Sequence, residues 1–145
     1  MKKILILNFI MVLVGFGCEK ESLKDSGLLK TKWILSSIQD TKTNAVTNYP
    51  SDASRKISIV FTDSLNVLSF SGICNGGAGT YSYVPSYTFS YGAIKITDLV
   101  TTLIYCSDWE GYTIQNLDAA FSYRINGNNL VIYSTGAYNL YFTKN

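Results

Sequence analysis

The stretch SGICNGGAGTY at 71–81 holds the side chain best equipped for chemistry, Cys74, beside Asn75 and among four glycines. A cysteine can be a nucleophile, a metal ligand or half of a disulfide. The nucleophile is the thiolate, and cysteine enzymes usually obtain it from a neighbouring histidine. The chain has no histidine, which removes that pairing and the Ser-His-Asp arrangement with it. A Ser-Lys pair stays formally open, but no motif singles one out. A zinc site would need three or four N/S ligands, and beyond Cys18 the chain offers only Cys74 and Cys106. The acids are scattered, and Asp63-Ser64-Leu65-Asn66 lacks the DxDxDG spacing of a calcium loop. Asn75 to Gly79 lacks the Gly-Lys-Ser/Thr of a phosphate loop, and Thr80-Tyr81 opens a strand instead of a helix. Its glycines therefore read as turn residues. Asp108 and Glu110 are near neighbours, but at an expected helix start the dipole and capping account for both. No catalytic residue, metal or cofactor is expected, and the chain reads as a non-enzyme.

The staple remains. The chain opens MKKILILNFIMVLVGFGC: two lysines, an apolar stretch too short to span a bilayer comfortably, then small residues leading into Cys18. Gly17-Cys18 after an apolar run resembles a bacterial lipobox. That resemblance implies a lipoprotein signal peptide at 1–17 and a lipidated Cys18 as the first mature residue, carrying palmitate-type acyl chains in a membrane. The competing reading is an ordinary cleaved signal with an incidental cysteine. If lipid consumes Cys18, Cys74 and Cys106 are the only free pair in an exported protein, where disulfides persist. A loop of that length is worth roughly 3 to 4 kcal/mol by chain entropy. The competing reading is two reduced, buried cysteines side by side.

These residues need a scaffold. The 145 residues suffice for one domain. Residues 18–27 are the lipidated cysteine and a polar tether with little to bury. From residue 28 to 145 short runs alternate or are rich in β-branched and aromatic residues: 33–38, 57–61, 67–72, 80–83, 87–91, 93–96, 121–125, 130–134 and 139–142. Turn chemistry separates them, with Asn126-Gly127 the strongest hairpin signal because a tight turn there needs positive φ. Residues 39–56 read as a loop. The pattern predicts a mainly β fold, a small antiparallel β-barrel-like or sandwich domain. One amphipathic helix interrupts it at SDWEGYTIQNLDAAF. Ser107 and Glu110 form a capping box there, and Trp109, Tyr112, Thr113, Leu117 and Ala120 make the packed stripe.

Charge narrows the partners. The chain carries 12 Lys plus Arg against 10 Asp plus Glu, and removal of Lys2 and Lys3 with the signal leaves the two balanced. No basic cluster exists, so nucleic acid is excluded as a partner.

The residues Trp33, Leu35 and Ile38, then Phe70, Gly72, Cys74, Asn75, Gly79 and Tyr81, and later Ile94, Ile96, Thr101, Thr102, Cys106, Glu110, Leu117, Tyr123, Ile125, Gly127 and Leu130 resemble the META domain family, also called HslJ-like. The resemblance runs from about residue 28 to the end. It implies a small antiparallel barrel-like β domain with one packed helix, often in envelope lipoproteins linked to envelope stress, and it carries no catalytic residues over. Gly72, Asn75, Gly79, Tyr81 and Glu110 then fall on positions that look structural, with Asn75 bonding turn backbone and Glu110 capping the helix. The expectation is a non-catalytic, lipid-anchored protein of the bacterial cell envelope, at the outer membrane, with a structural or binding role. Its partners would be the membrane through its anchor and an envelope protein or small ligand. The alternative is a lipocalin-like carrier of a small apolar ligand inside the barrel.

Overall fold

The computed structural model describes residues 27–85, 91–102 and 104–145. The expected signal, Cys18 and nearly all of the tether lie outside them, as does most of the run expected at 87–91.

Among the described residues nine strands form: β1 (Lys32–Asp40), β2 (Val46–Asn48), β3 (Ser58–Phe61), β4 (Val67–Ser71), β5 (Gly76–Pro85), β6 (Tyr91–Thr101), β7 (Ala120–Asn126), β8 (Asn129–Ser134) and β9 (Tyr138–Lys144). One helix, α1 (Asp108–Asp118), lies between β6 and β7. Every pairing between these strands is antiparallel, and the order β1-β3-β4-β5-β6-β7-β8-β9 closes on itself because β9 also pairs with β1 from Trp33↔Lys144 to Asp40↔Tyr138. The result is an eight-stranded barrel. The short β2 lies beside β1 at Ser37–Gln39, inside the stretch expected to be a loop.

Alternation places one face of each strand inside. Ile57, Ile59 and Phe61, Leu68 and Phe70, Ile94 and Ile96, Tyr123 and Ile125, Leu130 and Ile132, and Leu140 and Phe142 are buried in sequence steps of two. Strand β1 changes phase: Trp33 and Leu35 are buried, and then Ile38. A bulge between Leu35 and Ser37 absorbs the odd residue, and the Ser36 hydroxyl donates to Tyr141 O at 3.0 Å there. Eight strands enclose just enough space for side chains to fill. Here Trp33, Phe61, Tyr81, Tyr123 and Phe142 fill it, with Phe61 and Tyr81 edge to face at 5.0 Å.

Two turn expectations need correction. Gly76, Gly77 and Gly79 are not turn residues; they open β5 opposite β6. A Cβ on Gly77 would run into Val100 O, and one on Gly79 would stand 3.0 Å from both Leu99 Cα and Thr97 O. At Gly77 and Gly79 close backbone approach, not tight turning, selects glycine, whereas a Cβ on Gly76 would meet nothing nearer than Phe70 O at 3.9 Å. The β7–β8 hairpin forms as expected, but its two loop residues are Gly127 and Asn128, and Gly127 alone has positive φ (58°).

The helix packs against β6, β8 and β9. It is two residues shorter than the expected stripe, since Ala120 already belongs to β7. Its buried face is Glu110, Thr113, Asn116 and Leu117, while Trp109 and Tyr112 are only half-buried. That face is largely polar, and both of its polar ends matter below. Among the described residues the β6–β7 seam holds the pairs Tyr91↔Arg124, Gly92↔Tyr123 and Ala93↔Ser122.

Candidate functional site

The residues singled out by the Gly-x-Cys-Asn stretch converge at one corner, where the chain leaves β4, enters β5 and meets the start of α1. Cys74 and Cys106 form a disulfide with Cα atoms 6.3 Å apart and a sequence separation of 32. Both cysteines are exposed. The buried-thiol alternative therefore fails, and the bond ties two surface loops.

Beneath it lies Glu110, 2% exposed. Its Oε1 accepts from Asn75 N at 2.8 Å, and its Oε2 accepts from Cys74 N at 3.2 Å. The same Oε2 lies 3.1 Å from Cys106 Sγ. The capping box is thus only half formed. Ser107, with extended backbone (φ −165°), accepts from Trp109 N as an N-cap should. Glu110 turns away from its own helix and serves the β4–β5 connection instead. Two amide donors on one carboxylate are charge-assisted bonds, and they replace part of the hydration that burial removes.

Asn75, also buried, does not bond the local turn as expected. Its Oδ1 accepts from Thr102 Oγ1 at 2.8 Å and Ile104 N at 2.9 Å, and its Nδ2 donates to Ile104 O at 2.7 Å. The amide thus pins the segment between β6 and α1. Gly72 N donates to Asn75 O at 2.7 Å, and a Cβ on Gly72 would fall onto the Glu110 carboxyl group. Gly72, Cys74, Asn75, Cys106 and Glu110 are one structural unit. Tyr81 and Gly79 lie apart, in the barrel: Tyr81 is buried, with its hydroxyl donating to Thr62 O at 2.7 Å.

Chemically the corner offers little. Cys74 Sγ, Cys106 Sγ and a Glu110 oxygen lie within 4.8 Å of one another, a set with the span of a metal site. Sulfurs bonded to each other present no thiolate, however, and thiolate is the metal ligand. Asp108, the other acid at the helix start, is exposed and accepts from Tyr105 OH at 2.7 Å. That bond and the carboxylate's charge raise the Tyr105 phenol above its usual range.

A second polar centre was not foreseen from the sequence. Near the other end of α1, Asn116 Oδ1 accepts from Tyr138 N at 2.9 Å and Ser134 Oγ at 3.1 Å. The Asn116 Nδ2 donates back to Tyr112 O at 2.7 Å. The Thr135-Gly136 turn after a buried serine was the available signal, because only a glycine leaves room there for Asn116 Oδ1.

The model of the META domain family matches residues 26–145. Among curated proteins none matches the sequence. Two solved structures share the fold. One is the NMR structure of a protein from Burkholderia xenovorans, 19% identical, covering 81% of this chain and 83% of that one at a TM-score of 0.65. The other is the crystal structure of a DUF4847 family protein from Bacteroides vulgatus, 14% identical, covering 81% of this chain and 94% of that one at a TM-score of 0.54. At such identities the two structures speak to the fold alone. The matched span takes in every strand, the helix and the stapled corner, and the chain belongs to the META domain family.

Proposed function

We propose that this chain is a non-catalytic, lipid-anchored protein of the bacterial cell envelope, with a binding or structural role under envelope stress. Cys18 carries the anchor, residues 1–17 are removed as a signal, and the barrel stands at the outer membrane on a short polar tether. The observation that carries the reading is the filled barrel. Trp33, Phe61, Tyr123 and Phe142 are each at most 1% exposed, so the interior offers a ligand no room. Recognition then belongs to the outer surface, where Ile104 and Tyr105 beside the staple and Val84, Tyr91 and Phe121 around the β6–β7 seam are exposed. The family and its barrel are consistent with a binding or structural protein.

The carrier alternative has one observation on its side. A cleft of about 470 Å³ opens beside the seam, lined by Tyr83, Ile94, Lys95, Asp118 and Phe121 among others. It lies at the barrel wall and is open, where a lipocalin-like carrier would hold its ligand inside.

Native mass spectrometry of the protein from its own membrane, without reductant, tests the proposal. The expected species begins at Cys18, carries acyl chains, is two hydrogens short and has no small companion. An unacylated species starting elsewhere would overturn the anchor. A companion mass lost on denaturation would put the carrier in its place.

A further inference from the structure

The outer face of β7, β8, β9 and β1 carries a concavity of about 490 Å³. The strand registers explain what converges on it. Arg124 pairs with Val131, Val131 with Tyr141, and Asn126 with Asn129, so these side chains share the face opposite Tyr123, Ile125, Leu130 and Ile132. Tyr133, two residues beyond Val131, completes the row. Arg124, Asn126 and Asn129 are exposed, and Tyr133, Val131 and Tyr141 are half-buried.

Most of these polar groups are unengaged. Among the described residues, the guanidinium of Arg124, the carboxamides of Asn126 and Asn129 and the hydroxyl of Tyr133 have no hydrogen-bond or ion-pair partner. Tyr141 differs, since its hydroxyl donates to Gln39 Oε1 at 2.9 Å and is thereby fixed. Burial first, and the neighbouring Tyr133 second, raise the Tyr141 phenol above its usual range. Both tyrosines line the concavity. No acid lines the concavity, so Arg124 gives it a positive charge that nothing in the lining neutralises.

Each chemistry selects a ligand feature. A planar guanidinium with its fork of N–H donors matches a carboxylate. Two carboxamides, each donor and acceptor, match neighbouring hydroxyls. Two tyrosine rings offer apolar faces with polar edges, to which the C–H face of a pyranose can pack. A volume of this size falls within the roughly 300 to 1,000 Å³ of small-molecule sites. One cation is too few for a nucleic-acid backbone, and the polar lining does not suit a lipid chain.

We infer that the outer face of β7–β8–β9–β1 is a binding site for a saccharide that carries a carboxylate, with Arg124 on the carboxylate, Asn126 and Asn129 on hydroxyls, and Tyr133 and Tyr141 beneath the ring. This rests on the reading of the chain as a binding protein and names its ligand class. Such sugars occur as uronic acids of polysaccharides and as lactyl sugars of the cell wall, and one experiment separates the two.

The full chain is titrated with a hexuronic acid disaccharide and with N-acetylmuramic acid, each beside its neutral counterpart, while amide shifts are followed by NMR. One acidic sugar should bind about ten-fold more tightly than its neutral partner, the scale of one charged hydrogen-bonded contact, and which one identifies the source. Shifts should centre on 124–133 and 141. Arg124→Gln should bring acidic and neutral sugars to parity, Arg124→Lys should keep only part of the preference, and Tyr133→Ala should weaken both sugars together. Both positions lie on the outer face, and an unchanged amide spectrum elsewhere shows that each variant is folded. Equal binding of acidic and neutral sugars, shifts centred on the other cleft at 82–84, 93–95 and 118–121, or no shift up to roughly 10 mM, weaker than about −3 kcal/mol, would each overturn the inference. The proposed envelope role fails separately, on the acyl mass and processing at Cys18.

Discussion

The helix is held to the barrel near both ends by a buried polar side chain lying under a glycine, but the two attachments are built differently. At the N-terminal end Glu110 sits under Gly72 and reaches the amides of Cys74 and Asn75; at the C-terminal end Asn116 sits under Gly136 and reaches Tyr138 N and Ser134 Oγ. The first end adds a disulfide, and the second has none. What each end holds accounts for the difference. Asn116 grips the β8–β9 hairpin, whose strands pair with each other and, through β9, with β1. Glu110 and Asn75 grip 72–75 and the described residues of 102–107, which lie outside the strands and the helix. Where the sheet supplies order, one amide suffices. Where it does not, the chain uses a covalent bond over a charged hub.

The largest test removes the covalent part. Replacing Cys74 and Cys106 together by serine, or reducing the native protein, should lower stability by about 3 to 4 kcal/mol, read as a lower urea midpoint with a steeper slope, because the unfolded chain expands once the loop is open. Hydrogen exchange sharpens the comparison: the amides of Cys74 and Asn75 should lose protection in the reduced protein, while that of Tyr138 keeps it. Equal loss at both ends would mean the corner and the hairpin open as one unit.

Next comes the carboxylate. Glu110→Gln keeps the shape but leaves one uncharged oxygen to accept and turns an NH2 donor toward the other backbone amide, and should cost about 2 to 3 kcal/mol. Glu110→Gln in the reduced protein is the sharper form. If the carboxylate and the disulfide support the same two loops, the variant should cost less there than in the oxidised protein, because loops already loosened have less to lose.

The C-terminal hub should be somewhat less sensitive. Asn116→Ala strands the Tyr138 amide and the Ser134 hydroxyl, and should cost about 2 kcal/mol. A cost above that of losing the disulfide would reverse the ranking of the two ends.

The two ends also differ in how far the sequence discloses them. Cys74 and Cys106 announce themselves, because in a histidine-free chain two cysteines have few uses. Barrel and helix follow from alternation and from the single change of period at Ser107. The role of Glu110 does not. A glutamate three residues after a serine satisfies the capping-box pattern equally whether it bends back to its own helix or reaches across to Cys74 N, and only the tertiary placement of 72–75 decides. The glycines at 77 and 79 mislead for a related reason. A glycine chosen for close backbone approach looks the same in sequence as one chosen for positive φ. Asn116 is silent, since a polar residue within a helix normally faces water. Its partners Ser134 and Tyr138 come from a hairpin that sequence spacing cannot place beside it.

The smallest effect asks whether the two ends are independent. Glu110 and Asn116 are six residues apart on one helix, an axial rise of about 9 Å at 1.5 Å per residue. They share no hydrogen-bond partner: one serves 74–75, the other 134 and 138. Sites that far apart without shared partners usually add to within roughly 0.5 kcal/mol. Glu110→Gln combined with Asn116→Ala should therefore cost the sum of the two single losses to within that margin. Coupling well above it would have to travel through the backbone of α1, with loss of one anchor letting the helix shift and release the other. The helix would then be a single rigid strut, and the contrast between a stapled end and a sheet-supported end would describe chemistry but not energetics.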